Sequence, residues 1–362
     1  YNEMLRRGGL TTLFYISPNG EAPFGGRSNQ YNFNEITLAL ICEFEANRYK
    51  KLGEIELAGV FKRASHLLSL SILKWLRKKP FRNIKNSFHP SSKHGFDSYG
   101  YYSVYSLLIA SLAGFAYLLS DDSIEEKPAP FEIGGYVLHL SEPFHKVFAT
   151  CQNYHIEVDT RADHNHDATG LGRIHKFSIP SELGLSCSIV ANPKYIVSSA
   201  LSPRDIAIGP GWIENEGKIK FLSQFSNEIE DVKVIIIKER IDEVYFKICY
   251  KLKLNEIKEV IEIYRLNKNG IEIKNIIRGN IKKLQIQIPL LKTDGKSHSK
   301  INMGNNFFEV IYKNHKYLVK CIEPENVVTF LEPFFASNRN GIYRVGCFET
   351  KNKSIKYKIS LK

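Results

Sequence analysis

Four stretches of this 362-residue chain carry side chains suited to moving protons or holding an anion. The first is Gly25-Gly26-Arg27-Ser28-Asn29-Gln30-Tyr31. Its glycines make a hinge, and Arg27, Asn29 and Gln30 can hydrogen-bond a carboxylate. A helix follows at once, and a helix N-terminus favours an anion. An ordinary capping loop is the plainer alternative. The second stretch runs from His94 through Asp97, Tyr99, Tyr101 and Tyr102 to Tyr105. Aromatic faces stack on sugar rings, and a tyrosine hydroxyl of lowered pKa transfers a proton. The alternative is that Tyr102 and Tyr105 only pack the start of a helix.

The third stretch begins at His155 and reaches His175. It opens as a strand, so alternation puts His155, Glu157, Asp159 and Arg161 on one face. Asp163, His164, His166, Asp167, Arg173 and His175 follow. Such a face can line a cleft, with His155, Arg161, His164, His166 and Arg173 meeting substrate. It can also hold a metal, because histidine with carboxylate suits zinc; Asp163, His155 and His175 are the candidate ligands, with calcium the second choice of ion. A solvated loop is the alternative, and no cofactor is required. The fourth is the turn Gly209-Pro210-Gly211-Trp212. Its tryptophan walls a sugar site or, more commonly, fills a core.

These residues need a frame. Residues 33 to about 52 read as a helix capped by Asn32, with Ile36, Leu40 and Phe44 recurring at i+4. Residues 56 to 77 form a second, whose stripe runs from Leu57 through Phe61, Ala64 and Leu68 to Ile72 and Trp75. A long loop over 81 to 102 leads to a third helix, from about Ser103 to Leu119. The apolar run Leu107 to Leu119 is too short to span a bilayer and reads as a buried helix. Helix pairs with decorated loops at one end build an α/α toroid, but three or four helices cannot close the ring. The toroid is therefore incomplete, or its earlier helices lie upstream of Tyr1.

Asp121 to Pro130 is charged and proline-bearing and reads as a linker. Beyond it come short β-branched runs, among them Tyr136–Leu140, His155–Asp159, Val244–Leu252 and Ile271–Ile277, with Asn-Gly turns at Asn269-Gly270 and Asn340-Gly341. The expected class is α+β: a helical, partial toroid over 1–124, then a large antiparallel β-sandwich over 131–362.

The net formal charge is +12, which draws a polyanion. The lysines are spread through an Ile- and Asn-rich second half, with no arginine cluster and no nucleic-acid motif. Nucleic acid is therefore excluded, and an acidic glycan remains beside simple compositional bias. The six cysteines form no Cys-x-x-Cys pair, which argues against a zinc ribbon or redox motif. No P-loop, Rossmann or Gly-x-Ser-x-Gly pattern occurs.

At these residues the chain resembles the heparinase II/III and alginate-lyase type of polysaccharide lyases, which join an α/α toroid to an antiparallel β-sandwich. Asn29-Gln30 before a helix is similar to that family's Asn-Asn-His loop, with Gln30 where a histidine is usual. Tyr101-Tyr102 with Tyr105 looks like its loop-then-helix tyrosine motif. His155, Asp163 and His175 lie where some members hold zinc. The resemblance implies a carbon–oxygen lyase acting by β-elimination on an acidic polysaccharide or oligosaccharide, in the periplasm or secreted. Asn29, Gln30 and Arg27 would neutralise the uronate carboxylate, and Tyr101 or Tyr102, partnered by His94, would transfer the proton. Tyr99, Tyr105, Arg173 and Trp212 would contact the sugar. A glycoside hydrolase is the second reading, with Glu35, Asp97, Asp163 and Asp167 available as its carboxylates. A non-catalytic glycan-binding protein is the third.

Overall fold

The computed structural model describes residues 2–76, 83–97, 104–198, 200–214 and 217–362. The helical part comprises α1 (Asn2–Tyr15), α2 (Asn32–Lys51), α3 (Ile55–Leu73), α4 (Val104–Leu119) and the single turn α5 (Pro130–Ile133). Its core gathers Leu13 and Ile16 from α1 and its exit, Ala39, Cys42 and Tyr49 from α2, Phe61, Ala64 and Leu68 from α3, and Phe131. These positions recur at helical spacing, so each helix buries one stripe.

Several expectations are corrected here. Residues 2–15 form a further helix, one not among the three expected. Tyr31, not Asn32, is the N-cap of α2; Asn32 is its first helical residue and is fully buried. The second helix stops at Leu73, so Trp75 lies in the turn beyond it. The α4 helix is not a buried helix. Only Ile109 and Ala116 are buried, while Leu107, Phe115, Tyr117 and Leu118 face outward. It packs on α2, and no described element covers its other side.

The remaining chain is antiparallel sheet, as the alternating runs require. A four-stranded sheet holds β1 (Gly134–Leu140), β2 (Lys146–Cys151), β3 (Tyr154–Asp159) and β4 (Gly170–Lys176) in chain order. The following strands are β5 (Gly209–Ile213), β6 (Ile219–Phe221), β7 (Ile229–Arg240), β8 (Glu243–Leu252), β9 (Ile257–Asn267), β10 (Gly270–Gly279) and β11 (Lys283–Thr293). Then come β12 (Lys300–Met303), β13 (Phe307–Tyr312), β14 (His315–Glu323), β15 (Val328–Ser337), β16 (Ile342–Thr350) and β17 (Ser354–Leu361). They form an eight-stranded sheet, ordered β12-β13-β14-β17-β10-β9-β8-β7, and a five-stranded sheet, ordered β15-β16-β11-β5-β6. One apolar core, from Val137 to Leu361, joins the three sheets. The class is thus α+β, helices first and antiparallel sheets after.

Two details of strand chemistry place the site. The edge strand β15 breaks register between Leu331 and Phe335, around Pro333, which has no N–H to give a ladder. Its hairpin to β16 ends in Asn338-Arg339-Asn340-Gly341, and this tip is buried against the helical part instead of facing solvent. The Gly25-Gly26 loop, meanwhile, lies on the polar face of the four-stranded sheet.

Candidate functional site

The alternating face of β3 is polar but does not line a cleft. All of β3 is buried. Glu157 and Asp167 grip the Arg173 guanidinium, with Arg173 Nη2 2.6 Å from Asp167 Oδ1. Lys146 Nζ lies 3.2 Å from Glu157 Oε1, 3.9 Å from Asp167 Oδ2 and in contact with Asp159. The Gly26 amide donates to Asp167. A β-carbon on Gly25 would sit 2.6 Å from Asp167 Oδ2, 2.8 Å from Lys146 Nζ and 2.9 Å from Arg173 Nη1, so only glycine lets the loop close over this cluster. The Gly-Gly pair is thus the seal of a buried ion network. Arg173, expected to meet substrate, is 0 % exposed and bound within it.

His155 and His175 face each other across β3 and β4 in register. His155 Nδ1 is 2.7 Å from Thr150 Oγ1, and His175 Nδ1 is 3.2 Å from Ser17 Oγ. Burial holds the His155 pKa well below the usual imidazole value, with His175 adding repulsion. Burial, then Lys85 and Arg173, lowers His175 to about 3. Both rings are therefore neutral core histidines. Asp163 bonds His166 instead of this pair, and no three His, Cys, Asp or Glu side chains gather as a metal site among the described residues.

A second cluster does have the makings of a site. Asp97 is its centre. Its backbone amide donates to the Tyr31 hydroxyl at 2.8 Å, and that hydroxyl donates back to Asp97 Oδ2 at 3.1 Å. Arg339 Nη2 lies 3.3 Å from Asp97 Oδ2, and Arg27 Nε lies 4.0 Å from the same oxygen. His166 Nε2 is 3.6 Å from Asp97 Oδ1, while His166 Nδ1 is 3.0 Å from Asp163 Oδ2. Arg339 also stacks over Tyr195 at 4.5 Å and donates to the Arg27 carbonyl at 2.6 Å. Tyr105 stacks on Phe33 at 5.3 Å, and Phe33 stacks on Tyr31 at the same distance. An aromatic column thus backs the Tyr31–Asp97 bond, and this is where the packing alternative for Tyr105 is realised.

The electrostatics follow from the geometry. Burial alone would depress His166, but the carboxylates of Asp163 and Asp97 outweigh it and the repulsion of Arg339, and raise its pKa. Burial pushes Asp163 up, yet the His166 imidazole and the amides of His166 and Asn165 win and lower it to about 2. Asp97 is likewise raised by burial and, on balance, lowered by His166, Arg339 and Tyr31. The result is an imidazole whose protonated form is favoured, set between two ionised carboxylates, with the Arg27 side chain 58 % exposed beside it.

The other predicted residues lie elsewhere or behind this cluster. Asn29 and Gln30 are each 2 % exposed. Gln30 Nε2 donates to the Ser186 carbonyl at 3.2 Å, and its Oε1 accepts from Asn340 Nδ2 at 2.7 Å. With its amide oxygen turned to Arg173, Asn29 accepts from that guanidinium at 3.3 Å. Both amides are committed to protein groups and hold the site from behind. His94 does not partner Asp97. It is fully buried, stacked on Phe88 at 3.6 Å, with Nε2 2.7 Å from the Asn338 carbonyl and Nδ1 2.9 Å from Ser198 Oγ. His164 bonds Asp205 at 2.6 Å, and Arg161 donates to the Ile229 carbonyl. Trp212 is fully buried, donates to Glu214 at 3.0 Å and stacks on Phe225, so it walls no sugar site. Tyr99, Tyr101 and Tyr102 lie outside the described residues.

Sequence reading missed Arg339 and its neighbours Asn338 and Asn340. Asn340 Nδ2 donates to the Lys85 carbonyl as well as to Gln30. The only signal was the turn Asn338-Arg339-Asn340-Gly341, and a turn of that type ordinarily faces solvent.

No family model matches the chain, and no curated protein matches it. Among solved structures it is similar to heparan sulfate lyase HepC from Pedobacter heparinus, with 9% identity and a TM-score of 0.47 over 99% of this chain and 55% of that one. It is also similar to 4-alpha-glucanotransferase from Thermococcus litoralis, with 10% identity and a TM-score of 0.45 over 92% of this chain and 50% of that one. A third likeness is to the alpha-N-acetylgalactosaminidase NagBb from Bifidobacterium bifidum, with 9% identity and a TM-score of 0.39 over 59% of this chain and 36% of that one. The chain spans about half, or less, of the length of these structures. Identities this low carry no residue correspondence, and what the chain does must be argued from its own geometry.

Proposed function

We propose that the chain cleaves a uronate-containing glycan by β-elimination beside Asp97. The observation that carries this reading is the His166 ring held between Asp97 and Asp163, next to the exposed Arg27 guanidinium. Elimination begins at a weakly acidic C–H next to a carboxylate. Fixed positive charge must neutralise that carboxylate and the enolate that develops from it. Arg27 and His166 supply such charge, while Arg339 keeps Asp97 ionised and in place. Tyr99, Tyr101 and Tyr102 follow Asp97 by two, four and five residues in the chain. One of Tyr101 and Tyr102, as its phenolate, takes the C5 proton; the C4–C5 double bond forms as the C4–O bond breaks, and the tyrosine hydroxyl so formed gives its proton to the leaving oxygen, which restores the phenolate.

A retaining or inverting hydrolase instead needs one carboxylic acid kept protonated beside a carboxylate. Asp97 and Asp163 are both held below the usual carboxylate range. Glu35 and Asp167 are buried against Lys85 and Arg173. Elimination is therefore favoured. The experiment is to incubate the chain with heparan and chondroitin sulfates, hyaluronan, alginate, ulvan and glucuronan and follow near-ultraviolet absorbance. A rise that disappears in Tyr101→Phe or Tyr102→Phe supports the reading. New reducing ends without absorbance would replace it with hydrolysis.

A further inference from the structure

Away from Asp97, a cleft of ≈ 600 Å³ opens between the helical part and the sheets. It has the size of an ordinary ligand site. The helical side supplies Asn19, Glu21, Lys74 and Trp75, and the sheet side supplies Ser178 to Glu182, Lys296, Lys313 and His315. Its floor is stitched together across the junction. Asn19 Nδ2 donates to the Lys176 carbonyl at 3.0 Å, and the Ser178 amide donates to Asn19 Oδ1 at 2.8 Å.

We infer that this cleft is a binding subsite for a negatively charged sugar residue. Three lysines from three separate segments converge on it. Lys74 Nζ is tethered 3.3 Å from the Asn19 carbonyl, and Lys296 makes no ion pair among the described residues. Lys313 Nζ sits 2.9 Å from Asp294 Oδ2 and 3.5 Å from Glu182 Oε1. Two carboxylates also line the cleft, and both are occupied. Glu21 accepts from Ser181 Oγ at 3.4 Å, and Glu182 accepts from the Tyr312 hydroxyl at 2.9 Å. Burial, opposed by its own backbone amide and Lys313, raises the Glu182 pKa.

Trp75 adds a second, independent observation. It lines the cleft, and its indole N–H is buried without a partner among the described residues. An indole N–H is a donor only, so it calls for an acceptor oxygen. Trp75, Glu21 and Ser181 also wall a small polar void of ≈ 10 Å³ whose other walls include Asn29, Gln30 and Asn340. A sugar in the cleft would therefore lie directly behind the loop that carries Arg27. That the anion is a sugar rests on the glycan reading above; the preference for an anion rests on the cleft alone.

Trp75 and Trp212 are the two tryptophans, and Trp212 is fully buried elsewhere, so emission changes report the cleft. The test titrates the full chain with a uronate hexasaccharide and with its carboxyl-reduced counterpart, following tryptophan emission and, separately, near-ultraviolet product. A saturable emission change is expected with the uronate. The apparent Kd should rise about tenfold or more in Lys74→Glu/Lys296→Glu, and less in Lys74→Gln/Lys296→Gln, with the thermal midpoint unchanged. Such a result supports the subsite whether or not any product forms. Product formation with an unchanged KM in both variants and no emission change would overturn the subsite and leave the elimination reading standing. Equal binding of the carboxyl-reduced probe, or no binding of either probe, would overturn it too.

Discussion

His155 and His175 lie face to face across β3 and β4, where the Glu21 carboxylate comes no nearer than 4.0 Å to His175 Nδ1, whereas His164 and His166, from the loop between those strands, each meet a carboxylate at 3.0 Å or less. All four come from one stretch of chain and are the same residue type. The strand pair is held neutral, and the His166 ring is held toward its charged form. What separates them is counter-charge at a given depth. The strand rings are desolvated against hydroxyls, which cannot compensate an imidazolium. The His166 ring is less deeply buried, and Asp163 and Asp97 stand on either side of it. The same contrast holds for the acids. Asp167 and Glu157 are satisfied inside a sealed network, while Asp163, half-exposed, sits at its margin. Chemistry belongs to the margin, where charge is both fixed and reachable.

The sharpest way to break this comparison is His166→Asn. Loss of one preorganised charge at an anion-stabilising position costs on the order of 10²–10³ in kcat. The melting temperature should move little, because the margin carries less packing than the interior. A variant that melts well below the wild type yet keeps its kcat would put His166 with the strand histidines. The wild-type rate should also fall as pH rises through the raised His166 pKa, where the imidazolium is lost.

Arg173→Met should do the opposite. It leaves Glu157 and Asp167 buried without their partner, a change that costs about 3–5 kcal/mol of stability. Urea unfolding would measure it, and a cost below about 1 kcal/mol would mean that the network is not the structural half of the pair.

Stability against pH sharpens the contrast further. His155 and His175 have depressed folded pKa values, so the unfolded chain binds protons first as pH falls. Their contribution is complete above about pH 6.5 and is lost progressively below it, toward pH 3 for His175. His166 runs the other way. Its raised folded pKa gives stability present below about 6.5 and lost as pH rises through the folded value. Unfolding free energy followed by denaturant from pH 4 to 8 should therefore fall on the acid side, and His175→Asn should flatten that fall.

The smallest effect is expected from Trp212→Phe. Removing its N–H from Glu214 should lower stability by about 1–3 kcal/mol and leave turnover unchanged. A loss of turnover at constant stability would return Trp212 to the sugar site.

Much of the architecture was legible in local pattern. The stripe of α3 and the alternation of β8 and β10 are properties of neighbours in the chain, so the α+β order and the change near residue 130 follow from them; in α2 the buried face is instead Ala39, Cys42, Ala46 and Tyr49, and Phe44 of the expected stripe is exposed. The stretches around Arg27, Asp97 and His166 also announced themselves, because clusters of charge, glycine and tyrosine are rare without a purpose. The roles within those stretches were not legible. Alternation says that Glu157 and Arg173 can share a face, but not that the Gly25-Gly26 loop will seal it. His94 is three residues from Asp97 in the chain yet faces Asn338, while His166, far away in sequence, faces Asp97. Arg339 reaches Asp97 only because an edge hairpin folds its tip inward. Which side chains are desolvated, and which meet a counter-charge, depends on contacts between segments hundreds of residues apart. The sequence determined the elements and the inventory of reactive groups; the tertiary structure alone decided which of those groups became core and which became a site.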